Sequence, residues 1–554
     1  MDASPVKIFE YFNGEKQNLI PLFQRPYSWK AKDWDTLWDD LMLQYDPDER
    51  SAHFMGAVVS VPAVSKPVGV TKHLVIDGQQ RLTTLSLLLA AIKTQCFESG
   101  DSKTVNKING YLTNPFEEEP DDLKLVPTQV DREAFKAVVF DKDLEEFGES
   151  RVVQAYQYFL RKLEGDDENG DSIQAKCILD TICQSLQVVM INLGEHDDPY
   201  LIFESLNHKG EPLTQSDLVR NYILMRFKHS TSSGGEQEEV YTDLWRPMED
   251  SLGEHMSEFM RHYLMLTGKN VRKNEIYSAT KSTFQKLEST GAIREALKEM
   301  KRSAFSYRKF IYPDEVGNTR VRSKLLALKD LDTTVFYPLI LRLYRSMELE
   351  LIETDELVAC LSMIESFYLR RSVCGVPTNA LNKICLETCA QFPEQNIRHW
   401  LNEKLSSGSS GRRWPSDEEF KDSLVKDRVY QRKKIVRFLL IQLEEAQEHK
   451  EPVSSVNATI EHIMPQTLTT EWKSMLGDSP EETYERWLDT VGNLTLTAYN
   501  SELGNLPFSD KKSKLQNSHF EITRWILDLE SWGGAEIQQR AEWLADTAVL
   551  RWAR

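Results

Sequence analysis

One stretch near the C-terminus constrains the fold of this chain more than any other. Residues 458–466 read ATIEHIMPQ, and residues 491–500 read VGNLTLTAYN. In the first segment Ile460 and Ile463 flank a glutamate and a histidine, and Pro465 ends the extended run. The second segment alternates in the manner of a strand, and the residues after it can begin a short helix. The stretch therefore predicts a strand, a long loop, a second strand and a helix.

The polar residues of this stretch are those that phosphodiester hydrolysis needs. The reaction requires a base that deprotonates water, a metal ion that neutralises phosphate charge and a group that aims the base. We predict His462 as the general base, because a histidine pKa lies near neutrality, and Asn493 as the residue that orients it. Glu461 and Asn500 offer the oxygen ligands that Mg²⁺ or Mn²⁺ prefers. Two other residues are alternatives for the second metal ligand: Glu502 and Asn505.

This order of elements and residues is the layout of an HNH, or ββα-metal, nuclease. A Glu-His pair alone is usually an exposed surface pair, and asparagines are common turn formers. Here the pair lies on a predicted strand, and both asparagines follow in order on the later elements. The combination therefore favours the nuclease over the purely structural alternative.

The charge of the chain limits how it can bind nucleic acid. The 554 residues are enough for two to four domains, and they carry a net charge of −19. Such a charge argues against a protein that coats nucleic acid, so a DNA enzyme would need a local basic groove. One candidate is the segment 428–437, for which a solvated helix face is the alternative. Its basic residues are Arg428, Arg432, Lys433, Lys434 and Arg437.

Cysteine usage and hydropathy predict a soluble, cytoplasmic protein. The seven cysteines include no Cys-x-x-Cys pair, which argues against structural zinc or a disulfide framework and suits a reducing compartment. No basic stretch followed by an apolar run opens the chain, so we expect no signal peptide. The longest apolar run, residues 85–92, is too short to span a bilayer, so we expect no membrane partner.

The first N-terminal motif, residues 20–29, reads IPLFQRPYSW. Gln24 and Arg25 are polar residues inside an extended apolar run, and such residues need partners. An arginine there suits a bidentate contact with phosphate. Tyr27 and Trp29 can form an aromatic, partly apolar pocket that prefers a chemically modified DNA group, although aromatic residues are most simply core.

The second N-terminal motif, residues 75–85, reads VIDGQQRLTTL and predicts a strand, an Asp-Gly turn and a helix. Free N–H groups, the helix dipole and a guanidinium converge in the first helical turn, which favours anion binding. That turn carries Gln79, Gln80 and Arg81. Asp77 is either the N-cap or a metal or ribose contact, and a well-capped helix without a ligand is the alternative. No P-loop sequence occurs anywhere in the chain.

The third motif, residues 203–221, reads FESLNHKGEPLTQSDLVRN. Gly210 interrupts it in a manner typical of a turn, and Thr214 or Ser216 can cap the helix that follows. A capped helix-turn-helix explains this pattern without a ligand. A pocket is the other explanation, lined by Asn207, Asp217 and Asn221.

Together the three N-terminal motifs, EHIMPQ and GNLTL resemble the GmrSD family of modification-dependent restriction enzymes. They are equally similar to the related SspE-type nucleases that sense phosphorothioate DNA. The resemblance covers about residues 10–225 and 410–550, and the joint set of motifs is highly specific. It implies an N-terminal ParB/sulfiredoxin-like domain that binds and hydrolyses a nucleoside triphosphate, usually GTP or UTP. It also implies a C-terminal HNH nuclease and a role in defence against phage.

The resemblance assigns site residues by position. The nucleotide site would comprise Gln24, Arg25, Asp77, Gly78, Gln79, Gln80 and Arg81. The catalytic residues would be His462, Asn493 and Asn500. In the family that the chain resembles, the metal-side residue before the histidine is often Asp or is absent, so Glu461 departs from the usual pattern.

The motifs and composition predict an α+β chain that is mostly α-helical. We expect a ParB-like nucleotide-binding and modification-sensing domain at 1–228, a helical connector at 236–405 and an HNH nuclease domain at 412–554. The Ser- and Gly-rich residues 406–413 are predicted to be a linker.

The predicted function is an NTP-regulated, metal-dependent DNA endonuclease in antiphage defence, with modified DNA sensed by the N-terminal domain. One nuclease site per chain would require a homodimer, or two encounters, to cut both strands. Two alternatives remain: a nucleotide-dependent DNA-binding sensor with a degenerate nuclease module, and a nuclease that acts on RNA.

Overall fold

The chain is mostly helical with a small mixed sheet, which confirms the predicted α+β class. The computed structural model describes residues 2–22, 24–45, 51–62, 69–167, 170–193, 214–227, 235–447 and 457–554. These fall into two compact units. The N-terminal unit comprises Met1–Asp250 and Asn274–Lys298, and the C-terminal unit comprises Ser251–Lys273 and Glu299–Arg554. The three-part division at 228, 236, 405 and 412 stays a prediction.

A six-stranded mixed sheet lies in the N-terminal unit. Its strands are β1 (Asp2–Lys7), β2 (Lys16–Leu19), β3 (His53–Pro62), β4 (Thr71–Asp77), β5 (Leu125–Val126) and β6 (Leu186–Asn192). Their spatial order is β1-β6-β3-β4-β2-β5. β4 pairs antiparallel with β3 and parallel with β2. The strand predicted at the start of the second motif is confirmed as β4.

Eleven labelled helices lie wholly or mostly in the N-terminal unit among its described residues. They are α1 (Ile8–Phe12), α2 (Ala31–Met42), α3 (Gln79–Glu98), α4 (Ser102–Leu112), α5 (Gln129–Val139), α6 (Arg151–Leu163), α7 (Ala175–Ser185), α8 (Gln215–Leu224), α9 (Glu236–Val240), α10 (Arg246–Leu252) and α12 (Ile276–Phe284). Helix α3 is apolar on most of its surface, so it is buried and packs against α4, α6 and α7. The helix predicted after Gly78 is thereby confirmed.

The helix predicted after the third motif is α8, and its cap is the predicted one. Thr214 Oγ1 accepts a hydrogen bond from the Asp217 amide at 3.2 Å, and Asp217 Oδ2 accepts one from the Thr214 amide at 3.1 Å. This reciprocal capping box satisfies two otherwise unpaired donors. Asn207 and Gly210, from the same motif, lie outside the described residues.

In its described residues, the C-terminal unit has helices and one hairpin. Its helices are α11 (Met256–Met265), α13 (Thr290–Ile311, which begins in the N-terminal unit), α14 (Thr319–Asp330), α15 (Tyr337–Glu348), α16 (Thr354–Val373), α17 (Leu381–Ala390), α18 (Ile397–Ser406), α19 (Asp417–Lys426), α20 (Lys433–Glu445), α21 (Thr470–Leu476), α22 (Pro480–Trp487), α23 (Asn500–Leu503), α24 (Phe508–Leu515), α25 (Glu521–Arg524) and α26 (Gly534–Arg551). Strands β7 (Thr459–His462) and β8 (Leu494–Thr497) pair antiparallel. The two predicted strands and the helix after them are confirmed, and the connection between the strands contains helices α21 and α22. Within the described ranges, none of the helices combines the length and apolarity needed to cross a membrane.

The residues predicted to be a linker, 406–413, are held by helix α16. Arg371 is buried, and its guanidinium donates to the carbonyls of Gly411 at 2.9 Å and Arg413 at 2.8 Å. Carbonyl acceptors of this kind offset part of the desolvation of a buried cation. The Ser- and Gly-rich composition therefore marks an anchored turn here.

Helix α16 also holds the end of the C-terminal helix. Arg370 Nε and Ser366 Oγ each donate to the Trp552 carbonyl at 2.8 Å. The Trp552 indole in turn donates to Glu365 Oε1 at 2.7 Å. Because all four side chains are buried, these bonds fix the last residues of the chain on α16.

Candidate functional site

The β7–β8 hairpin positions the two residues that the sequence singled out on its first strand. Successive side chains of a strand point to opposite faces, so Glu461 and His462 have different neighbours. His462 pairs in register with Leu494, and the next amide, that of Ile463, donates to the Asn493 carbonyl at 2.9 Å. The histidine therefore lies where the hairpin ends and the chain turns away.

His462 is buried beside a carboxylate. Its side chain is 6% exposed, and Nε2 lies 3.4 Å from Asp489 Oδ1. The Tyr430 ring meets the imidazole edge to face, with ring centroids 4.3 Å apart. Burial lowers the pKa of His462, and the Asp489 charge opposes that shift without reversing it. The imidazole is therefore neutral near pH 7, which is the state that a general base requires.

Asp489 also accepts hydrogen bonds from two residues other than His462. Its Oδ2 accepts from Arg428 Nη2 at 3.1 Å and from Nε at 3.2 Å, and its carbonyl accepts from the Tyr430 amide at 3.2 Å. Arg428, Asp489 and His462 thus form a continuous chain of polar contacts. Sequence reasoning missed Asp489, although an acid four residues before Asn493, at the end of the loop between two strands, was a usable signal.

The side chain of Asn493 makes other contacts than the orienting role predicted for it would require. Its Oδ1 accepts from the Met464 amide at 2.7 Å and the Trp532 indole at 3.0 Å, and its Nδ2 donates to the carbonyls of Met464 and Leu488, both at 2.9 Å. Two accepted and two donated bonds use the whole capacity of an amide. Asn493 therefore clamps the turn after β7 to the turn before β8, and Asp489 is the residue beside the imidazole.

The turn that carries Asn493 is fixed against helix α26. A Cβ atom on Gly492 would lie 2.1 Å from the Ile537 carbonyl oxygen, so only glycine allows this approach. The fully buried Arg540 donates from Nη1 to the carbonyls of Gly492 and Leu494, both at 2.7 Å. The Gly-Asn-Leu sequence is thus explained by close packing and backbone hydrogen bonds.

Glu461 faces a buried lysine. Lys511 Nζ lies 2.6 Å from Glu461 Oε1 and donates to the His462 carbonyl at 2.8 Å. Burial raises the pKa of Glu461 and lowers that of Lys511, and in each case the partner's charge opposes the shift. The pair therefore fastens helix α24 to strand β7.

Asn500 lies at the start of helix α23, next to the first strand. Its Nδ2 donates to the Ile460 carbonyl at 3.0 Å and to Thr459 Oγ1 at 3.1 Å. A carbonyl can only accept, so the amide orientation is settled and Oδ1 is the oxygen left for another partner. Of the two alternatives for the second ligand, Asn505 is exposed, and Glu502 is exposed and pairs with Lys514 at 3.4 Å.

Two oxygen atoms near these contacts are of the kind that a hard divalent cation prefers as ligands. Glu461 Oε2 and Asn500 Oδ1 are a carboxylate and an amide oxygen, and Mg²⁺ characteristically takes one or two such groups and completes its shell with water and phosphate oxygens. Glu461 Oε1 is already bound by Lys511. No group of three or more His, Cys, Asp or Glu side chains that could hold a metal occurs among the described residues.

The second candidate site is the junction of β4 and α3 in the N-terminal unit. Gly78 has a φ of 100°, a left-handed conformation that favours glycine, and it is the N-cap of α3 without a side-chain cap. Asp77 does not cap the helix; its Oδ2 lies 3.4 Å from Arg81 Nη2. Arg81 also donates to the Ala57 carbonyl. The guanidinium is thereby held beside the helix N-terminus.

Three glutamines join the first N-terminal motif to the second. Gln24 donates to the carbonyls of Val75 and Ile76 at 2.6 and 3.0 Å. Gln80 Oε1 accepts from the Ser28 amide at 2.8 Å. Gln79 donates to the Arg25 carbonyl, while its own Oε1 is buried and has no hydrogen-bond partner in the described part of the chain. The predicted anion-binding side chains are therefore largely used to hold the segment 24–29.

The aromatic residues predicted to sense a DNA modification lie in the core. Tyr27 is 4% exposed, and its hydroxyl hydrogen bonds to Thr84 Oγ1 at 2.7 Å and to the Trp34 indole at 2.8 Å. Trp29 is half-buried and packs against the same hydrophobic cluster. Tyr27 is thus used in the core of the N-terminal unit, and the aromatic, partly apolar pocket of Tyr27 and Trp29 stays a prediction.

Comparison with protein families places the chain among the restriction endonucleases. The model of the GmrSD restriction endonuclease N-terminal domain matches residues 8–224, and the model of the C-terminal domain matches residues 414–547. The chain belongs to the GmrSD restriction endonuclease family, as its motifs predicted. No curated protein matches it.

Proposed function

We propose that the protein is a metal-dependent DNA endonuclease in which His462 activates the attacking water. The family supports nuclease activity, and the observation that carries the assignment is the buried, neutral imidazole beside Asp489 at the end of β7. In this proposal a nucleoside triphosphate bound by the N-terminal unit regulates cleavage, and the substrate is chemically marked DNA of phage.

The contacts support a role for each residue in this proposal. We assign the imidazole proton to Nε2, which donates a hydrogen bond to Asp489 Oδ1. Nδ1 is then unprotonated and accepts a proton from water. The resulting hydroxide attacks phosphorus, and the bond to the leaving oxygen breaks. Glu461 and Asn500 would hold Mg²⁺ or Mn²⁺, which when bound neutralises charge on the phosphate. Tyr430 limits rotation of the imidazole by packing on its edge.

Asp489→Asn is expected to lower kcat for DNA cleavage by about 10- to 100-fold, because an amide can donate as well as accept and no longer selects one imidazole tautomer. Asp489 raises the pKa of His462, so its removal should also shift the acidic limb of the pH–rate profile to lower pH. KM should change little. The matched control is Asp478→Asn, an exposed aspartate of the same unit. A pH–rate profile equal to that of the wild-type protein would show that another group orients the imidazole.

The β4–α3 junction is the proposed triphosphate site, with GTP or another nucleoside triphosphate as ligand. Arg81 supplies a charge beside the N-terminus of a 20-residue helix, and such an N-terminus favours anions. The buried Gln79 Oε1 is an acceptor that a ribose hydroxyl or base N–H would satisfy. Gln24 and Gln80 position the neighbouring backbone of residues 25–29.

Arg81→Gln is expected to raise the Kd for GTP by about tenfold or more, since a hydrogen bond to a charged group contributes about 1.5–3 kcal/mol. Isothermal titration calorimetry on the full chain measures this without any reference to cleavage. Arg161→Gln, an exposed arginine of the same unit, is the control. Equal Kd values for the two variants would place the triphosphate elsewhere.

The function is tested by cleavage of supercoiled plasmids that carry phosphorothioate linkages, modified bases or no modification. Each plasmid is incubated with Mg²⁺, Mn²⁺ or EDTA, with and without each nucleoside triphosphate. The proposal expects cleavage of marked DNA that needs the metal and responds to a nucleotide. A His462→Ala protein purified in parallel reports contaminating nuclease, and equal cleavage by both proteins would refute the assignment. Cleavage of matched RNA alone would identify an RNA nuclease instead.

A further inference from the structure

A basic groove lies between helices α14 and α20 of the C-terminal unit. Its volume is about 780 Å³. Four basic and two acidic residues line it: Arg322, Lys329, Lys434, Arg437, Asp330 and Glu445. The rest of the lining is polar or apolar. In a chain with a net charge of −19, a groove with this balance is a local exception.

The acidic neighbours of the groove weaken its positive charge only in part. Lys434 pairs with Asp332 at 3.6 Å, but both side chains are more than 60% exposed, and exposed pairs of this kind interact weakly. The acidic Glu445 has its own partner, Arg551, at 3.6 Å. The groove therefore retains a surplus of positive charge that faces solvent.

The same helix connects the groove to the candidate active site. Lys433 Nζ lies 5.1 Å from the centre of the Tyr430 ring, which packs on His462. Arg437 Nε donates at 3.4 Å to the carbonyl of Ala458, the residue immediately before β7. Lys433 and Arg437 are four residues apart, which is about 6 Å along the helix axis. The phosphates of one DNA strand recur about every 3.4 Å of the duplex axis, so the two side chains can reach different phosphates.

We propose that the groove between α14 and α20 binds the phosphodiester backbone of duplex DNA on one side of the cleaved phosphate. The inference rests on the proposed nuclease function, because it takes His462 as the place where the strand is cut. The DNA backbone then runs along helix α20, from Arg322 and Lys434 in the groove to Lys433 beside the imidazole. The segment 428–437 thus has a specific role beyond that of a solvated face.

The test compares two double variants that each remove two positive charges from the C-terminal unit. Arg322→Gln with Lys434→Gln changes the groove. Lys421→Gln with Lys426→Gln is the matched control, since both control lysines lie on α19 in exposed ion pairs. Binding of a fluorescent 30-base-pair duplex is measured by anisotropy over a series of salt concentrations, with His462→Ala present in both proteins to prevent cleavage.

The groove variant is expected to bind at least tenfold more weakly at about 100 mM salt. The slope of log affinity against log salt should fall by about 1.8, since each lost phosphate contact contributes about 0.9. The control should keep the slope of the parent protein. Equal slopes for the two double variants would overturn the proposal, as would equally tight, equally groove-dependent binding of duplex RNA. If the groove result holds while the wild-type protein cleaves no plasmid, the nuclease assignment fails and the binding surface stands.

Discussion

His462→Ala is expected to slow DNA cleavage by about 10²- to 10⁴-fold, the usual contribution of a general base. The imidazole is buried, neutral and bonded to Asp489, which suits it to accept a proton from water. Cleavage is measured under single-turnover conditions, which separate the chemical step from binding. Binding of DNA by the variant should remain close to that of the wild-type protein.

The pH dependence of the wild-type enzyme provides a second measurement for this residue. Burial lowers the pKa of His462 below the ordinary histidine value of about 6.5. The base acts only when deprotonated, so the rate should rise with pH through a midpoint below that value and then level off. His519→Ala, an exposed histidine in the same unit, is the matched control. Equal losses in the two variants, or a midpoint above 6.5, would contradict the assignment.

Asn493→Ala is expected to lower the free energy of unfolding of the C-terminal unit by roughly 3–5 kcal/mol. The change leaves four buried groups without their partner, and each such group costs about 1–3 kcal/mol, with incomplete additivity. Hydrogen exchange of the β7 and β8 amides measures the effect locally, which avoids the assumption that a chain of two units unfolds in one step.

The same variant distinguishes a clamp from a catalytic residue. If Asn493 clamps the two turns, stability and cleavage should fall together, and Asn505→Ala, at an exposed position, should change neither. Normal hydrogen-exchange protection combined with lost cleavage would show that Asn493 acts on the chemistry itself. That outcome would support the role predicted from the sequence alone.

The elements around the candidate nuclease site could be predicted from sequence because their signals are local. Alternation in 494–497 and the apolar residues beside Glu461 and His462 predict the two strands directly. The partners of these residues could not be predicted in the same way. Asp489 and Lys511 lie 27 and 50 residues from the positions that they contact, and local periodicity carries no information about such pairs.

The N-terminal motifs show a second limit of sequence reasoning. A glutamine in the first turn of a helix has the same local pattern whether it faces a phosphate or another part of its own chain. Gln79 and Gln80 are bonded to residues 25–29, and Gln24 is bonded back to β4. The two motifs that suggested one ligand site therefore use most of these side chains to hydrogen bond to each other. Arg81 and the unpaired oxygen of Gln79 keep chemistry that suits a nucleotide.

Helix α16 determines where this enzyme can be divided for biochemical work. A fragment that starts at residue 412 contains the whole region that matches the family's C-terminal domain. It would nevertheless lack Arg370 and Glu365, the residues that bind Trp552. An expression fragment intended to retain a native C-terminus should therefore begin upstream of Thr354, so that the whole helix remains attached.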